Sequence, residues 1–341
     1  MTTRALLLRL IKAAVSLGLL GVIVFTVDLG AVWRRLDADV ALAGVAALVL
    51  LQGQALGAAA RWRLVLSALD RALAFPVAWR NVLLGLFGNQ AMPSTIGGDA
   101  LRIWNGWRLG LPVGLATRSL IVDRVFSFLG LIALCGAGLP VLAGRADDPL
   151  VASGLLTLVL GGLGCLLVLL GLRWLPRGLA ERSVARPLVS LSESAWRALG
   201  NRRVTPPILA LMLVPHLIDI TVVWLYALAL GLDASWWTIA LVFPPAILTA
   251  AVPVSVAGWG LREGALVLGF GIVGLPADAA LACSVLYGAS AVVTGLIGGV
   301  VWAAGDADGF AALRRSGVRV PSARSDGGPP DMGEDEQKNG T

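Results

Sequence analysis

Six long runs of apolar residues constrain the fold of this chain more than any other feature of its sequence. Each is close to the length of about 20 residues that an α-helix needs to cross a bilayer. They lie at 11–27, 40–60, 119–142, 151–172, 206–230 and 279–304. With 57% hydrophobic and 14% charged residues, the chain has too little polar surface to cover a soluble domain of this length. We therefore predict an all-α, polytopic transmembrane helical bundle.

The two ends of the chain differ from this apolar pattern in different ways. Residues 11–27 are not followed by a small-residue cleavage site, so we interpret them as a retained first helix rather than a secretory signal. After Ala304 the sequence is rich in Gly, Pro, Ser and charge and is not expected to bury a core. We predict a membrane domain over 1–305 and a disordered cytoplasmic tail over 306–341.

Basic residues are concentrated between particular apolar runs, and this distribution predicts an orientation. Fourteen Arg or Lys lie in 1–12, 61–80 and 173–205, whereas three lie in 28–39, 143–150 and 231–235. Basic loops stay on the cytoplasmic side, so both termini are predicted to be cytoplasmic in a plasma-type membrane. The net charge of +6 follows from this topology, and nucleic acid is not an expected partner.

Two further apolar segments are interrupted and do not resemble ordinary spans. Residues 81–93 are too short to cross a bilayer and continue into a Gly-rich, charged stretch that ends at Arg102. Residues 236–253 are interrupted by Pro244 and Pro245 and are followed by the short apolar run 264–275. We predict that each segment forms a re-entrant or broken-helix hairpin.

The two interrupted segments are related to each other by an offset of 160 residues. Without a gap, Ala91, Pro93, Thr95, Ile96, Gly98, Leu101 and Arg102 align with Ala251, Pro253, Ser255, Val256, Gly258, Leu261 and Arg262. The charge distribution places the chain inside before the first hairpin and outside before the second. The sequence thus predicts an inverted-topology repeat, whose paired interrupted segments indicate a transporter binding site at the membrane midplane.

Arg102 and Arg262 are the leading candidates for contact with a ligand. Each follows a Gly-containing break, where the N–H groups of a starting helix favour an anion, and arginine is a planar double donor matched to phosphate. An arginine at membrane depth is costly unless it is paired or functional. The alternative is that both lie at an interface, or that Asp99 and Glu263 neutralise them.

Other polar and small residues of the hairpins are candidates for the same site. Capping of the returning helices is expected of Ser94, Thr95 and Ser255. Close approach of a headgroup, or tight helix packing instead, is expected at Gly97, Gly98, Gly258 and Gly260. Cavity lining, or hydrogen bonds to unwound backbone, is expected of Asn89 and Gln90.

Charged residues within or beside the long runs suggest further roles. Arg118, Asp123 and Arg124 open the span 119–142, where they form either a local ion pair or a point of headgroup entry. Asp219 lies deep in the span 206–230 and needs a partner, either Arg102 or Arg262, unless it serves as a proton relay. His216 shares its helical face, with packing near Pro215 as the alternative role.

Catalytic and metal-binding chemistry are not expected from this sequence. Cys135, Cys165 and Cys283 lie within apolar runs and lack the spacing of a metal site. No carboxylate pair or nucleophile triad stands outside the bilayer. We therefore expect neither an enzyme nor a bound cofactor or metal.

Three short motifs carry a resemblance to a known family. They are NQAMPSTIGGDALR at 89–102, RSLIVDR at 118–124 and PVSVAGWGLRE at 253–263. With these motifs the chain resembles the lysylphosphatidylglycerol synthase transmembrane region, or flippase-like domain, over roughly residues 5–305. The resemblance implies a membrane domain that moves charged lipids between leaflets and that is sometimes fused to a soluble aminoacyl transferase. Because only a short tail follows Ala304, lysine transfer to a lipid is not expected here.

Three hypotheses of function follow. The leading one is a transporter that moves a lipid with an anionic or phosphate-bearing headgroup through a cavity between the two hairpins. The second is a membrane-embedded part of a polyprenyl-phosphate or lipid-modifying glycosyl or aminoacyl transferase system. The third is a scaffold for a lipid-synthesising enzyme, for which the basic segment 173–205 is the docking surface.

Overall fold

The computed structural model describes residues 37–91, 97–145, 149–183, 185–250 and 260–315. Within these ranges the chain is helical and contains no strand, as predicted. The helices are α1 (Ala38–Ala68), α2 (Phe75–Ala91), α3 (Gly97–Arg108), α4 (Val113–Arg145), α5 (Pro149–Gly171), α6 (Arg177–Ala180), α7 (Ala185–Gly200), α8 (Thr205–Ala229), α9 (Trp236–Ala250), α10 (Leu261–Ile272) and α11 (Ala277–Arg315). A short 3-10 helix, Leu172–Trp174, follows α5.

Five helical segments of the described chain are long and apolar enough to cross a membrane. They are Ala38–Ala68, Val113–Arg145, Ala152–Trp174, Thr205–Ala229 and Ala277–Trp302. These segments confirm five of the six predicted spans, and the remaining one, 11–27, lies outside the described residues. The helix α11 continues to Arg315, so the predicted domain boundary after residue 305 falls within a helix.

The two interrupted segments form pairs of helices, with α2 packed on α3 and α9 packed on α10. The second helix of each pair has 12 residues. That length corresponds to about 18 Å, well short of a hydrocarbon core of about 30 Å. The predicted interruption at Pro244 and Pro245 was wrong, because both lie inside the continuous helix α9. Phe243 and Pro244 are buried among neighbouring helices, an environment in which membrane helices tolerate proline.

The bundle has two halves, α1–α4 and α8–α11, and the helix pair of each half also packs against a helix of the other half. Helices α1 and α8 pack against each other. The first pair contacts α11 through α2, and the second pair contacts α4 through α9. Contacts of α1 with α2 and of α3 with α4 have counterparts between α8 and α9 and between α10 and α11. The packing of α1–α4 is therefore matched, element by element, by that of α8–α11.

Glycines allow unusually close packing around α2. A Cβ atom on Gly98 of α3 would lie 2.1 Å from the carbonyl oxygen of Gly85 and 2.3 Å from Asn89 Oδ1. On the other side of α2, a Cβ atom on Gly298 of α11 would lie 2.4 Å from the carbonyl oxygen of Leu83. Of the two roles proposed for Gly98, helix packing is the one observed, because the space beside it is filled by α2.

Replacing Gly98 with alanine is expected to destabilise the fold by about 1–3 kcal/mol, the usual range for overpacking. The shortest contact is with the backbone carbonyl of Gly85, which a side-chain rotation cannot relieve, so α2 and α3 have to separate. Thermal unfolding in detergent measures the effect. The matched control is Gly53→Ala in α1, where no atom lies within 4 Å of the new Cβ. Equal midpoints for the two variants would contradict this description of the packing.

Candidate functional site

A buried ion pair joins α1 to α4 at the centre of the first half. Arg61 Nε lies 2.7 Å from Asp123 Oδ1, and both side chains are 4% exposed. Arg61 Nη1 also donates to the carbonyl oxygen of Leu211 at 3.3 Å. That carbonyl lacks its usual helical partner, because Pro215, four residues later, has no N–H. Arg61 therefore neutralises the buried carboxylate of Asp123 and also donates to a carbonyl of α8 that lacks a helical partner.

The ion pairs differ from those predicted. Arg61 was assigned to a cytoplasmic loop, but it is buried within α1. Asp123 was expected to pair locally with Arg118 or Arg124, yet its partner is Arg61. Arg124 instead pairs with Asp99 of α3, with Nη2 and Oδ1 2.9 Å apart. The local pairing was wrong because successive residues of α4 face different neighbouring helices.

These charged residues surround a polar cavity of 190 Å³. Its walls come from α1, α2, α3, α4 and α8. The polar residues that line it are Gln54, Arg61, Asn89, Asp99, Arg102, Asp123, Arg124 and Ser127. The structure therefore brings Asn89, Asp99 and Arg102, which were proposed for one site, together with Asp123 and Arg124, which were proposed for headgroup entry. Arg118 and Arg262 are not among the described lining residues.

Arg102 is the least satisfied cation of this cavity. Arg102 is 7% exposed, and its Nε and Nη2 atoms have no hydrogen-bond partner in the described part of the chain. The guanidinium lies 5.0 Å from the centroid of the Trp62 ring. Asp99, which was expected to neutralise Arg102, bonds to Arg124 instead. Arg102 therefore presents unused donors in a water-poor environment.

The formal charges lining the cavity do not cancel. Three arginines and two aspartates line it, which leaves a net charge of +1. Residues 92–96, which lie outside the described residues and between Asn89 and Asp99 in the sequence, contain no charged amino acid. A group with a single negative charge would neutralise the cavity, since buried charges require a partner.

The polar residues of the first hairpin have distinct positions. Asn89 lines the cavity, and its Oδ1 also accepts a hydrogen bond of 3.1 Å from the N–H of Gly98 in the first turn of α3. Gly97, also buried, begins α3. Gln90 packs against Gly295 of α11 and is not among the described lining residues. The remaining candidates lie outside the described residues: Ser94, Thr95, Ser255 and Gly258.

Arg262 has a different environment from Arg102. Its Nη2 lies 2.6 Å from Glu263 Oε1, and its Nε donates to Ser284 Oγ at 2.9 Å. Glu263 is fully buried and also accepts a hydrogen bond of 2.6 Å from the N–H of Gly260. Gly260 has a φ of 89°, which favours glycine at this turn. The expected neutralisation by the adjacent glutamate is therefore observed for Arg262, whereas it is not observed for Arg102.

Asp219 connects the two halves through hydrogen bonds. Its Oδ1 accepts from Gln54 Nε2 at 2.8 Å and from the Tyr287 hydroxyl at 3.0 Å. Gln54 lines the polar cavity, while the Tyr287 ring lies 5.3 Å from the guanidinium of Arg262. The described hydrogen bonds of Asp219 come from these neutral donors, and the proposed ion pair with Arg102 is not formed.

His216 holds α8 against α4. Its Nε2 lies 2.8 Å from the carbonyl oxygen of Ser127. This contact accords with the packing role considered for His216, although the partner is on another helix rather than beside Pro215. It also fixes the wall of the cavity at Ser127.

Asp219→Asn is expected to change the free energy of unfolding little, because the amide oxygen still accepts from Gln54 and Tyr287. Asp219→Leu is expected to cost about 1–3 kcal/mol, since it leaves buried donors unsatisfied. Thermal unfolding of both variants in detergent provides the comparison. Equal losses for asparagine and leucine would show that these hydrogen bonds do not stabilise the fold.

Sequence reasoning missed several of these residues. Gln54 is a polar residue in the middle of the predicted span 40–60, a signal that could have identified it. Tyr287 and Ser284 carry no such signal, because hydroxyl and aromatic residues are common in membrane helices.

Comparison with known proteins gives a consistent assignment. Residues 9–299 match the model of the family described as the lysylphosphatidylglycerol synthase TM region. A UPF0104 membrane protein of Methanothermobacter thermautotrophicus is 27% identical over 259 residues, which cover 66% of this chain and 72% of that protein. The family match spans most of the chain and covers both helix pairs, four of the candidate spans completely and most of the fifth. The chain therefore belongs to the family of the lysylphosphatidylglycerol synthase transmembrane region.

Proposed function

We propose that this protein moves a lipid with an anionic, phosphate-bearing headgroup between the leaflets of a plasma-type membrane. The observation that carries the proposal is Arg102, a buried arginine with two unused donors in a cavity of net charge +1. Family membership supports a membrane protein related to lipids. In this proposal the phosphate binds beside Arg102 while the hydrocarbon chains remain in the bilayer.

The chemistry of Arg102 suits a phosphodiester. A guanidinium offers a planar fork of donors that matches two phosphate oxygens. One phosphodiester carries a single negative charge, which equals the charge needed to neutralise the cavity. Placing an arginine at membrane depth costs about 2.5–3.5 kcal/mol on insertion scales, so an incompletely paired one favours a functional role. The Trp62 ring beside it stabilises the cation while no lipid is bound.

The exchanged packing of the two halves supports an alternating-access mechanism. Matched contacts of α1–α4 and α8–α11 are those expected from an inverted repeat, with the short helices α3 and α10 re-entering from opposite faces. In this proposal both termini are cytoplasmic, and rocking of one half against the other exposes the cavity to each leaflet in turn. Gln54 and Asp219 lie at the interface between the halves, where such movement takes place.

Asp219 is also our candidate for coupling transport to a proton gradient. We expect Asp219→Asn to abolish any stimulation of transport by a pH gradient, because the amide cannot bind and release a proton. Transport in proteoliposomes with and without an imposed gradient measures this. A gradient response that persists in the asparagine variant, or that the unmodified protein never shows, would exclude Asp219 as a relay.

Reconstitution in liposomes tests the proposed function. The probe is phosphatidylglycerol with a headgroup fluorophore, and dithionite added outside quenches only the outer leaflet. Active protein is expected to make nearly all of the fluorophore accessible while mass spectrometry finds the probe unchanged. A modified probe would favour the transferase hypothesis. Neither movement nor modification would favour a scaffold for another enzyme.

A further inference from the structure

A second, apolar groove adjoins the polar cavity on the outer side of α4. It has a volume of 470 Å³ and lies between α4, α5 and α8. Its apolar lining consists of Ile121, Val125, Phe128, Leu131, Leu166 and Leu169, and Cys165 completes the wall on α5. The mechanism described above does not use this groove.

Two residues line both spaces, so the spaces lie side by side against α4. Arg124 and Ser127 each belong to the polar cavity and to the groove. The Arg124 side chain is 54% exposed and is held on the cavity side by Asp99. A molecule that lies along this line would meet charge at one end and hydrocarbon at the other. That polarity matches a lipid, with its phosphate near Arg102 and Arg124.

The sizes of the two spaces also suggest that they act together. Small-molecule sites commonly have volumes of about 300–1,000 Å³, so the polar cavity of 190 Å³ holds little more than a phosphate-sized group. The groove of 470 Å³ falls within that range. Helix α5 buries few of its residues within the protein, so a bilayer lipid can reach the groove from the side.

We infer that the groove between α4, α5 and α8 binds one hydrocarbon chain of the lipid whose phosphate occupies the polar cavity. This inference rests on the proposed function and makes it more specific, because it requires a ligand with an acyl or prenyl chain rather than a free phosphate. Lipid then enters laterally past Arg124, between α4 and α5. Filling of the groove by residues 1–36 of this chain is an outcome that the experiment detects.

Photo-crosslinking in a phosphate-free bilayer tests the inference. The protein is placed in nanodiscs of digalactosyldiacylglycerol with a phosphatidylglycerol probe that carries a diazirine midway along one acyl chain. Diacylglycerol with the same chain is the comparison probe. We expect phosphatidylglycerol to label peptides containing 121–131 and 165–169 about tenfold more than diacylglycerol. One hydrogen bond to a charged group increases affinity by about this factor.

Matched variants test whether the excess labelling comes from the groove or from the rest of the lipid-facing surface. Cys165→Trp narrows the groove from a partly lipid-facing position and is expected to remove the excess labelling. Leu167→Trp, at an exposed position of the same helix that does not line the groove, should leave it unchanged. Equal labelling by both probes would show an ordinary lipid-facing surface. Absence of labelling by either probe would show that another segment fills the groove. Both results would overturn the inference.

A ligand without chains separates failure of the inference from failure of the proposed function. Binding of sn-glycerol 3-phosphate, followed by broadening of its phosphorus NMR signal, should depend on Arg102 but not on Cys165. If this binding is observed while the groove shows no excess labelling, only the chain assignment is wrong. If Arg102→Ala changes neither sn-glycerol 3-phosphate binding nor phosphatidylglycerol labelling, the phosphate site itself is wrong and the chain assignment falls with it.

Discussion

Replacing Asp123 with asparagine is expected to lower the free energy of unfolding by about 3–5 kcal/mol, the cost of breaking a buried ion pair on one side. Arg61 would remain as a cation that is almost completely buried, with neutral oxygens in place of the carboxylate that pairs with it. Unfolding in detergent, followed by tryptophan fluorescence, measures the loss. This is the largest stability effect that we expect from a single side-chain substitution in the bundle.

Two controls distinguish a buried charge from a general effect of mutation. Arg61→Met combined with Asp123→Leu removes both charges and should recover much of the stability. Asp70→Asn removes one partner of the exposed pair with Arg197, whose atoms are 3.9 Å apart, and should change stability by less than about 1 kcal/mol. Asp70 has a φ of 59°, a conformation that asparagine also tolerates. If Asp123→Asn were no more harmful than Asp70→Asn, the buried pair would not stabilise the fold.

Arg102→Ala is expected to weaken apparent lipid affinity ten- to a hundredfold, because a hydrogen bond to a charged group contributes about 1.5–3 kcal/mol. Lysine at this position should restore only part of the affinity, since it keeps the charge and loses the planar fork. The concentration dependence of phosphatidylglycerol transport in proteoliposomes measures both variants. Arg108→Ala, in the same helix but outside the lining of the cavity, is the matched control.

The same substitution at Arg262 is expected to act mainly on stability. Removing Arg262 leaves Glu263 fully buried without its closest cation. The two arginines, equivalent in the internal repeat, are thus expected to differ in phenotype. A loss of affinity at Arg262 equal to that at Arg102, with the fold intact, would restore the symmetric site that the sequence predicted.

The spans and the helix pairs were predictable because the bilayer fixes the length of an apolar helix. The offset of 160 residues also identified Arg102, which the structure places in a polar cavity. Partners of charged residues were not predictable, because they depend on which helices adjoin. Asp99 is three residues from Arg102 and yet pairs with Arg124, and Asp123 pairs with Arg61 across 62 positions. Sequence distance does not determine either contact.

Glycine roles were equally ambiguous before the helices were placed. Gly98 was compatible with approach by a headgroup or by another helix, since both need the same absence of a side chain. The carbonyl of Gly85 occupies that space. Proline was misinterpreted for a related reason: Pro244 and Pro245 would disrupt an isolated helix, but α9 continues through them inside the bundle.

Cryo-electron microscopy of the protein in phosphatidylglycerol nanodiscs tests the central claim most directly. We predict density for a phosphate group in the polar cavity, within hydrogen-bonding distance of Arg102 Nε and Nη2. The same density should be absent from the Arg102→Ala variant. A cavity without lipid density, with Arg102 bonded to side chains or carbonyls of its own chain, would contradict the account.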